Sequence, residues 1–135
     1  MRFRRYAPRK GKYGNIKAVA DGITFDSTKE RDYYLFLKGK QQAGEISNLR
    51  LQVEYEIVPA VKKTWVKKFK RKPDELRETT VQPAVHYIAD FVYTDNATGL
   101  EEVVDVKSEA TRKDKVYILK KKMMRAFNNI EIVEV

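Results

Sequence analysis

Apolar residues along this chain recur with two periods, and the periods divide it into elements. From residue 16 to 25, alternating positions flank Asp21-Gly22, a turn dipeptide that joins hairpin strands. The period then lengthens. Ser27-Thr28-Lys29-Glu30 has the form of a capping box, with Ser27 as N-cap and Glu30 at the third helical position. Tyr33, Tyr34, Phe36 and Leu37 follow at helical spacing, and Gly44 sits where a C-terminal cap glycine belongs. A helix is predicted over 27–43. Leu49, Leu51, Val53, Tyr55 and Ile57 return to a period of two and predict a strand over 49–58, with Pro59 limiting it. Residues 61–69 predict a further edge strand. Residues 70–82 are polar and read as a loop with one helical turn at 74–78.

Residues 84–93 form an apolar strand, 95–99 a turn, and 101–107 a return strand antiparallel to it. Residues 112–127 predict a helix with Val116, Leu119, Met123 and Phe127 as its core stripe. A last strand spans 130–135, parallel to 101–107 through a right-handed helical crossover. Residues 1–14, with Pro8, Gly11 and Gly14 among many charges, read as a basic flexible arm. The remainder, 15–135, reads as one domain of the α/β or α+β class, a mixed central sheet flanked by two main helices, with a basic insertion at about 62–83.

Charge narrows the function. The formal net charge is +9, and three segments hold 21 of the 28 basic residues: Arg2 to Lys17, Lys62 to Lys72, and Arg112 to Arg125. Such clusters suit a polyanion, with nucleic acid first and an anionic membrane surface second. The chain lacks the basic amphipathic helix with bulky anchors that a membrane surface needs. No apolar run spans a bilayer, and no signal peptide is apparent, so a cytoplasmic location is expected. With no cysteine, thiolate metal sites and disulfides are excluded. The single histidine, His86, makes no zinc site and takes a structural or surface role.

Within this frame, charged residues interrupt two apolar strands. Asp90 lies in Tyr87-Ile88-Ala89-Asp90-Phe91-Val92-Tyr93, and Asp105 and Lys107 lie in Val103-Val104-Asp105-Val106-Lys107. Alternation puts Asp105 and Lys107 on one face, and Asp90 on a face with Ile88 and Val92. Burying such charges is costly unless they are paired or coordinated. A divalent metal with a bound phosphate would meet that cost. Without metal, mutual repulsion of the two aspartates should raise the pKa of one. The plain alternatives are an exposed strand-face ion pair for Asp105 and Lys107, a sheet-edge acid for Asp90, and capping alone for Glu30.

Glu30, Asp90 and Asp105-Val106-Lys107, on a helix followed by two strands 14 residues apart, resemble the PD-(D/E)xK nuclease superfamily. The likeness extends through Lys12-Tyr13-Gly14, Asp21 to Glu30, Gly44-Glu45-Ile46, Leu51-Gln52, Lys120-Lys121-Lys122 and Ile130 to Val135 to a compact phage-encoded branch in the company of Holliday-junction resolvases. It omits about 62–83. Ala89 stands where the superfamily has its proline. The resemblance implies a restriction-endonuclease-like fold and a Mg²⁺-dependent endodeoxyribonuclease, Mn²⁺ substituting, that acts on branched or duplex DNA as a homodimer. It implies Asp90, Asp105, Glu30 and the Val106 carbonyl at the metal. Lys107 would orient or deprotonate the attacking water, or stabilise the phosphorane. Candidate DNA contacts are Arg5 in the arm, Lys67 and Lys68 in the insertion, and Lys113 and Lys120 about two turns apart on one side of the last helix. Trp65 and Phe69 among lysines could stack on bases. Gln52 is a candidate cleft residue, and Glu54 reads as solvated strand face. The alternative function is a non-catalytic nucleic-acid-binding or assembly module on the same fold.

Overall fold

The computed structural model describes residues 16–135. The predicted arm, and Arg5 within it, lie outside the described residues. The first elements are β1 (Ala18–Ala20) and β2 (Ile23–Phe25), paired antiparallel. Asp21 (φ 51°) and Gly22 (φ 75°) both occupy the left-handed region, as a two-residue primed hairpin turn requires. Helix α1 (Thr28–Gln42) follows. The Ser27 hydroxyl accepts the Glu30 N–H at 3.1 Å, and Gly44 (φ 78°) supplies the left-handed residue just past the C-cap Ala43.

Four strands make the central sheet: β3 (Ile46–Val58), β6 (Val85–Asp95), β7 (Glu101–Asp105) and β8 (Ile132–Glu134), in the order β3-β6-β7-β8. The first three are antiparallel, and β8 runs parallel to β7. Between β7 and β8 lie α2 (Glu109–Arg112) and α3 (Lys115–Asn128). The fold is therefore α+β with a mixed sheet, as the pattern of periods predicts. One apolar cluster joins Tyr34 and Leu37 of α1 to Phe91, Tyr93 and Val104. The other joins Tyr117 and Met124 of α3 to Ala89, Val92, Val103 and Ile132. Adjacent Val103 and Val104 fall in different clusters, so the two helices pack on opposite faces of the sheet.

Three expectations are corrected. Residues 70–82 are not a loop with a helical turn at 74–78. Glu75–Gln82 is a strand, β5, paired antiparallel with β4 (Val61–Lys67) in a separate two-stranded sheet. Thr79, Thr80 and Val81 carry β propensity that outweighs the surrounding charge. The predicted last helix is two helices, broken where Asp114 accepts the Val116 and Tyr117 N–H groups as N-cap of α3. Lys113 is the C-cap of α2, so it does not share a helix face with Lys120. The core stripe is also rotated. Val116, Leu119 and Phe127 are exposed and Met123 is half-buried, while Tyr117 and Met124 are buried. On this side Tyr117 and Met124 pack against Ala89, Val92, Val103 and Ile132. Glu134 also receives the Tyr117 hydroxyl at 3.0 Å, Arg112 of α2 at 3.3 Å, and Lys121.

Candidate active site

The β6–β7 ladder runs from Thr94↔Glu101 to Phe91↔Val104 and then opens. At the fork the two aspartates replace backbone pairing. The Asp105 carboxylate accepts the Asp90 N–H at 2.9 Å through Oδ1. The Asp90 carboxylate accepts the Val106 N–H at 2.9 Å through Oδ2. Each acid thus caps the other's strand. The alternation of β6 breaks here as well. Tyr87, Ala89 and Val92 pack on the α3 side, and Phe91 and Tyr93 on the α1 side. Ile88, between Tyr87 and Ala89, therefore lies on the opposite face from Val92, and Asp90 cannot share a face with both as alternation predicts.

Opposite the fork, β3 carries its own irregularity. Gln52 has φ 51°, and Leu51 and Val53 on either side of it pack on different faces of the sheet. The Gln52 amide donates to Asp90 Oδ1 at 3.2 Å and, more weakly, to Glu30 Oε1 at 3.4 Å. A non-glycine residue in this backbone region carries strain, which collects at sites where a side chain must be aimed.

Lys107 lies two residues past Asp105. Its Nζ stands 3.7 Å from Asp105 Oδ2 and 5.2 Å from the Tyr117 ring centroid. Its N–H donates to the Val135 carbonyl, and Val135 N–H donates to the Asp105 carbonyl, so β8 holds the segment in line. Asp105 is fully buried, and its Oδ2 has no hydrogen-bond partner. Burial pushes its pKa up, with Lys107 and the Asp90 N–H opposing. The expected rise is present, but desolvation drives it rather than repulsion by Asp90.

Glu30 enters from the first turn of α1 and is buried. Burial, then Asp90 and Asp26, raise its pKa to about 7, against the pull of Lys107. Its carboxylate faces Gln52 rather than a solvated first turn, so capping does not account for it. Next to it, Lys29 donates to the Lys107 carbonyl at 3.3 Å. A cavity of about 260 Å³ opens between Asp26, Lys29, Glu30, Asp90, Val106 and Lys107.

Glu30, Asp90, Asp105, Val106 and Lys107, from one helix and two strands, therefore converge on one spot. Lys67, Lys68, Lys113 and Lys120 are not at it. Lys67 and Lys68 lie on or beside β4, and Lys120 borders an adjoining cleft, with His86 and Tyr117, that shares Lys107 with the site. His86 is half-buried with its Nδ1 3.2 Å from Oε1 of the exposed Glu54, away from the acid fork. Lys29 and Asp26 escape sequence reasoning because each looks like an ordinary charge at a helix start. Their only signal is adjacency to Ser27 and Glu30.

Among the described residues no group of three or more His, Cys, Asp or Glu is close enough to hold a metal ion by itself. Mg²⁺ does not require one. It is commonly held by one or two carboxylates, with waters and substrate phosphate completing its shell. Asp90 and Asp105, with a buried carboxylate oxygen lacking a hydrogen bond, fit that sparse kind of site.

The family model described as "Protein of unknown function (DUF1064)" matches residues 10–134. The chain belongs to this family. No curated protein and no solved structure matches it. The match includes all five converging residues and the β4–β5 ribbon, so the DUF1064 family model spans the site and its surroundings. Among the described residues no helix is long and apolar enough to cross a membrane.

Proposed function

We propose that this DUF1064 protein is a metal-dependent endodeoxyribonuclease of PD-(D/E)xK type, hydrolysing phosphodiester bonds in branched or structured DNA. The observation that carries the reading is the Asp105 carboxylate. It is buried, one oxygen has no hydrogen bond, and a lysine and a second aspartate stand beside it. A buried anion so arranged costs stability unless a cation completes it. Asp90 and Asp105, with the Val106 carbonyl, would hold Mg²⁺ or Mn²⁺, which would neutralise phosphate charge and acidify a bound water. Lys107, between a carboxylate and an aromatic face, has two neighbours suited to a cation and donates toward the phosphate or the attacking water. Glu30 stands further back as an acid that changes protonation near neutral pH. Gln52 keeps Asp90 and Glu30 in register through its two hydrogen bonds. Cutting both arms of a junction needs two such sites, which makes a homodimer the working assembly.

The test is cleavage of a four-way junction, a flap, a single strand and a linear duplex, with Mg²⁺, Mn²⁺ or EDTA. Asp105→Asn and Lys107→Ala should each lower metal-dependent cleavage on the order of 10²–10⁴-fold, while binding in EDTA survives. Parental rates in both variants would end the proposal. Binding without turnover on any substrate by the parent would leave a nucleic-acid-binding module. Equal cutting of all four substrates would remove the preference for branches alone.

A further inference from the structure

The β4–β5 ribbon takes no part in either core cluster, and nearly every residue in it is exposed. Residues 61–82 hold eight basic and three acidic side chains, a surplus of five out of the net nine for the whole chain. The pairings Lys63↔Thr79, Trp65↔Arg77 and Lys67↔Glu75 define its two faces. One presents Lys63, Trp65, Lys67 and Arg77, with Glu75 paired to Arg77 at 3.0 Å, so the cations of this face without an ion pair among the described residues are Lys63 and Lys67. Its Trp65 indole N–H is tied to Thr79 Oγ1 at 2.7 Å, which fixes the ring while leaving it exposed. The other face presents an internal ion pair, Lys62–Glu78 at 3.0 Å, and the apolar pair Val66↔Leu76. Beyond Lys67, the turn adds Lys68, Lys70, Arg71 and Lys72, with Lys67 and Lys72 both over the Phe69 ring.

We infer that this ribbon inserts its Lys63–Trp65–Lys67 face into the major groove of B-form DNA. The inference rests on DNA being the ligand proposed above and adds how the duplex is gripped. Charge selects the class of partner, since the surplus repels a second ribbon and attracts phosphates. Shape selects the groove. A two-stranded ribbon enters the major groove, about 12 Å wide, but not the minor groove at about 6 Å. The A-form major groove of duplex RNA is too narrow and deep for it. Seven or eight residues per strand give a length of about 25 Å, most of one helical turn. The ribbon continues the β3–β6 hairpin, and its root at Val85 lies five residues along β6 from Asp90, or about 17 Å. A duplex arm seated on the ribbon is thereby held within about a turn of the acid fork.

The test uses the full chain in EDTA, so that binding is read apart from cleavage. Anisotropy would compare 30-base-pair duplex DNA, duplex RNA of the same length, and single-stranded DNA. Lys63→Gln with Lys67→Gln should weaken duplex DNA binding at least tenfold. It should also lower the slope of log affinity against log salt by about two and abolish protection of guanine N7 from dimethyl sulfate. Lys62→Gln with Glu78→Gln, on the opposite face, should leave binding within twofold. Unchanged thermal melts in both doubles exclude unfolding as the cause. Unaltered duplex affinity in the Lys63/Lys67 double, equal losses for single strand and duplex, or protection of adenine N3 in place of guanine N7 would each overturn the inference. So would conversion of a dimer to a monomer by Trp65→Ala in light scattering, which would assign the face to a second copy. If Asp105→Asn leaves cleavage intact, the nuclease reading fails while this binding result stands.

Discussion

A single carboxylate, Glu30, concentrates the electrostatic cost of the site. Its pKa in the fold, about 7, lies above the ordinary 4.5. The folded state thus holds the proton more tightly than the unfolded chain. Ionising Glu30 costs nothing extra below about pH 4.5 and its full penalty above about pH 7, at most about 3 kcal/mol for a shift of that size. Stability of the metal-free protein should therefore fall as pH rises from 5 to 8. Glu30→Gln should flatten that slope by about 1–3 kcal/mol. Urea unfolding at pH 5 and pH 8, in the parent and in Glu30→Gln, measures the effect. An unchanged slope in Glu30→Gln would show that the carboxylate is better solvated than its burial implies.

At the scale of elements, α3 gives the sharpest contrast between pattern and packing. Met124 is fully buried, whereas Phe127 is about two-thirds exposed. Met124→Ala should cost about 2–5 kcal/mol, and Phe127→Ala no more than about 0.5 kcal/mol. Denaturant midpoints of the two variants decide this, and the reverse order would restore the Val116–Phe127 stripe as the core face. The hairpin, α1, the three antiparallel strands and the parallel return of β8 were legible because local period and turn chemistry determine them. The rotation of α3 was not. It depends on tertiary packing, in which Tyr117 and Met124 meet Ala89, Val92, Val103 and Ile132 while Glu134 receives Tyr117 and Lys121 of α3 and Arg112 of α2. Strand β5 was hidden because charged residues on a ribbon exposed on both faces look like a loop. The closeness of Asp90, Asp105 and Lys107 was legible, since apolar strands rarely carry acids without a reason, whereas Glu30 beside them followed only from the resemblance, because a capping box accounts for it in the sequence. Lys29 was not, nor was the left-handed backbone at Gln52, since both belong to tertiary placement.

For the whole molecule, charge geometry outweighs total charge. The basic ribbon and the lysines of α3 stand on different elements of one α+β framework, with Lys120 sharing a cleft with Lys107 of the acid fork. A ligand that touches both basic clusters would be long and polyanionic. Binding to duplex DNA should therefore lose affinity with a slope of about −5 or steeper in log salt. Titrations between 50 and 300 mM NaCl would read it, and a slope near −1, about one phosphate contact, would count against both the ribbon and the α3 lysines as DNA contacts.

The mutual capping of Asp90 and Asp105 has a practical consequence. The amides of Asp90 and Val106 are bonded to carboxylates rather than to ladder carbonyls. Their nitrogen and proton resonances therefore sense the charge on those carboxylates through a single hydrogen bond each. In a ¹⁵N-labelled sample these two backbone signals are built-in reporters of cation occupancy. They can be followed while Mg²⁺ is added, with no nucleic acid present and no bond being cut.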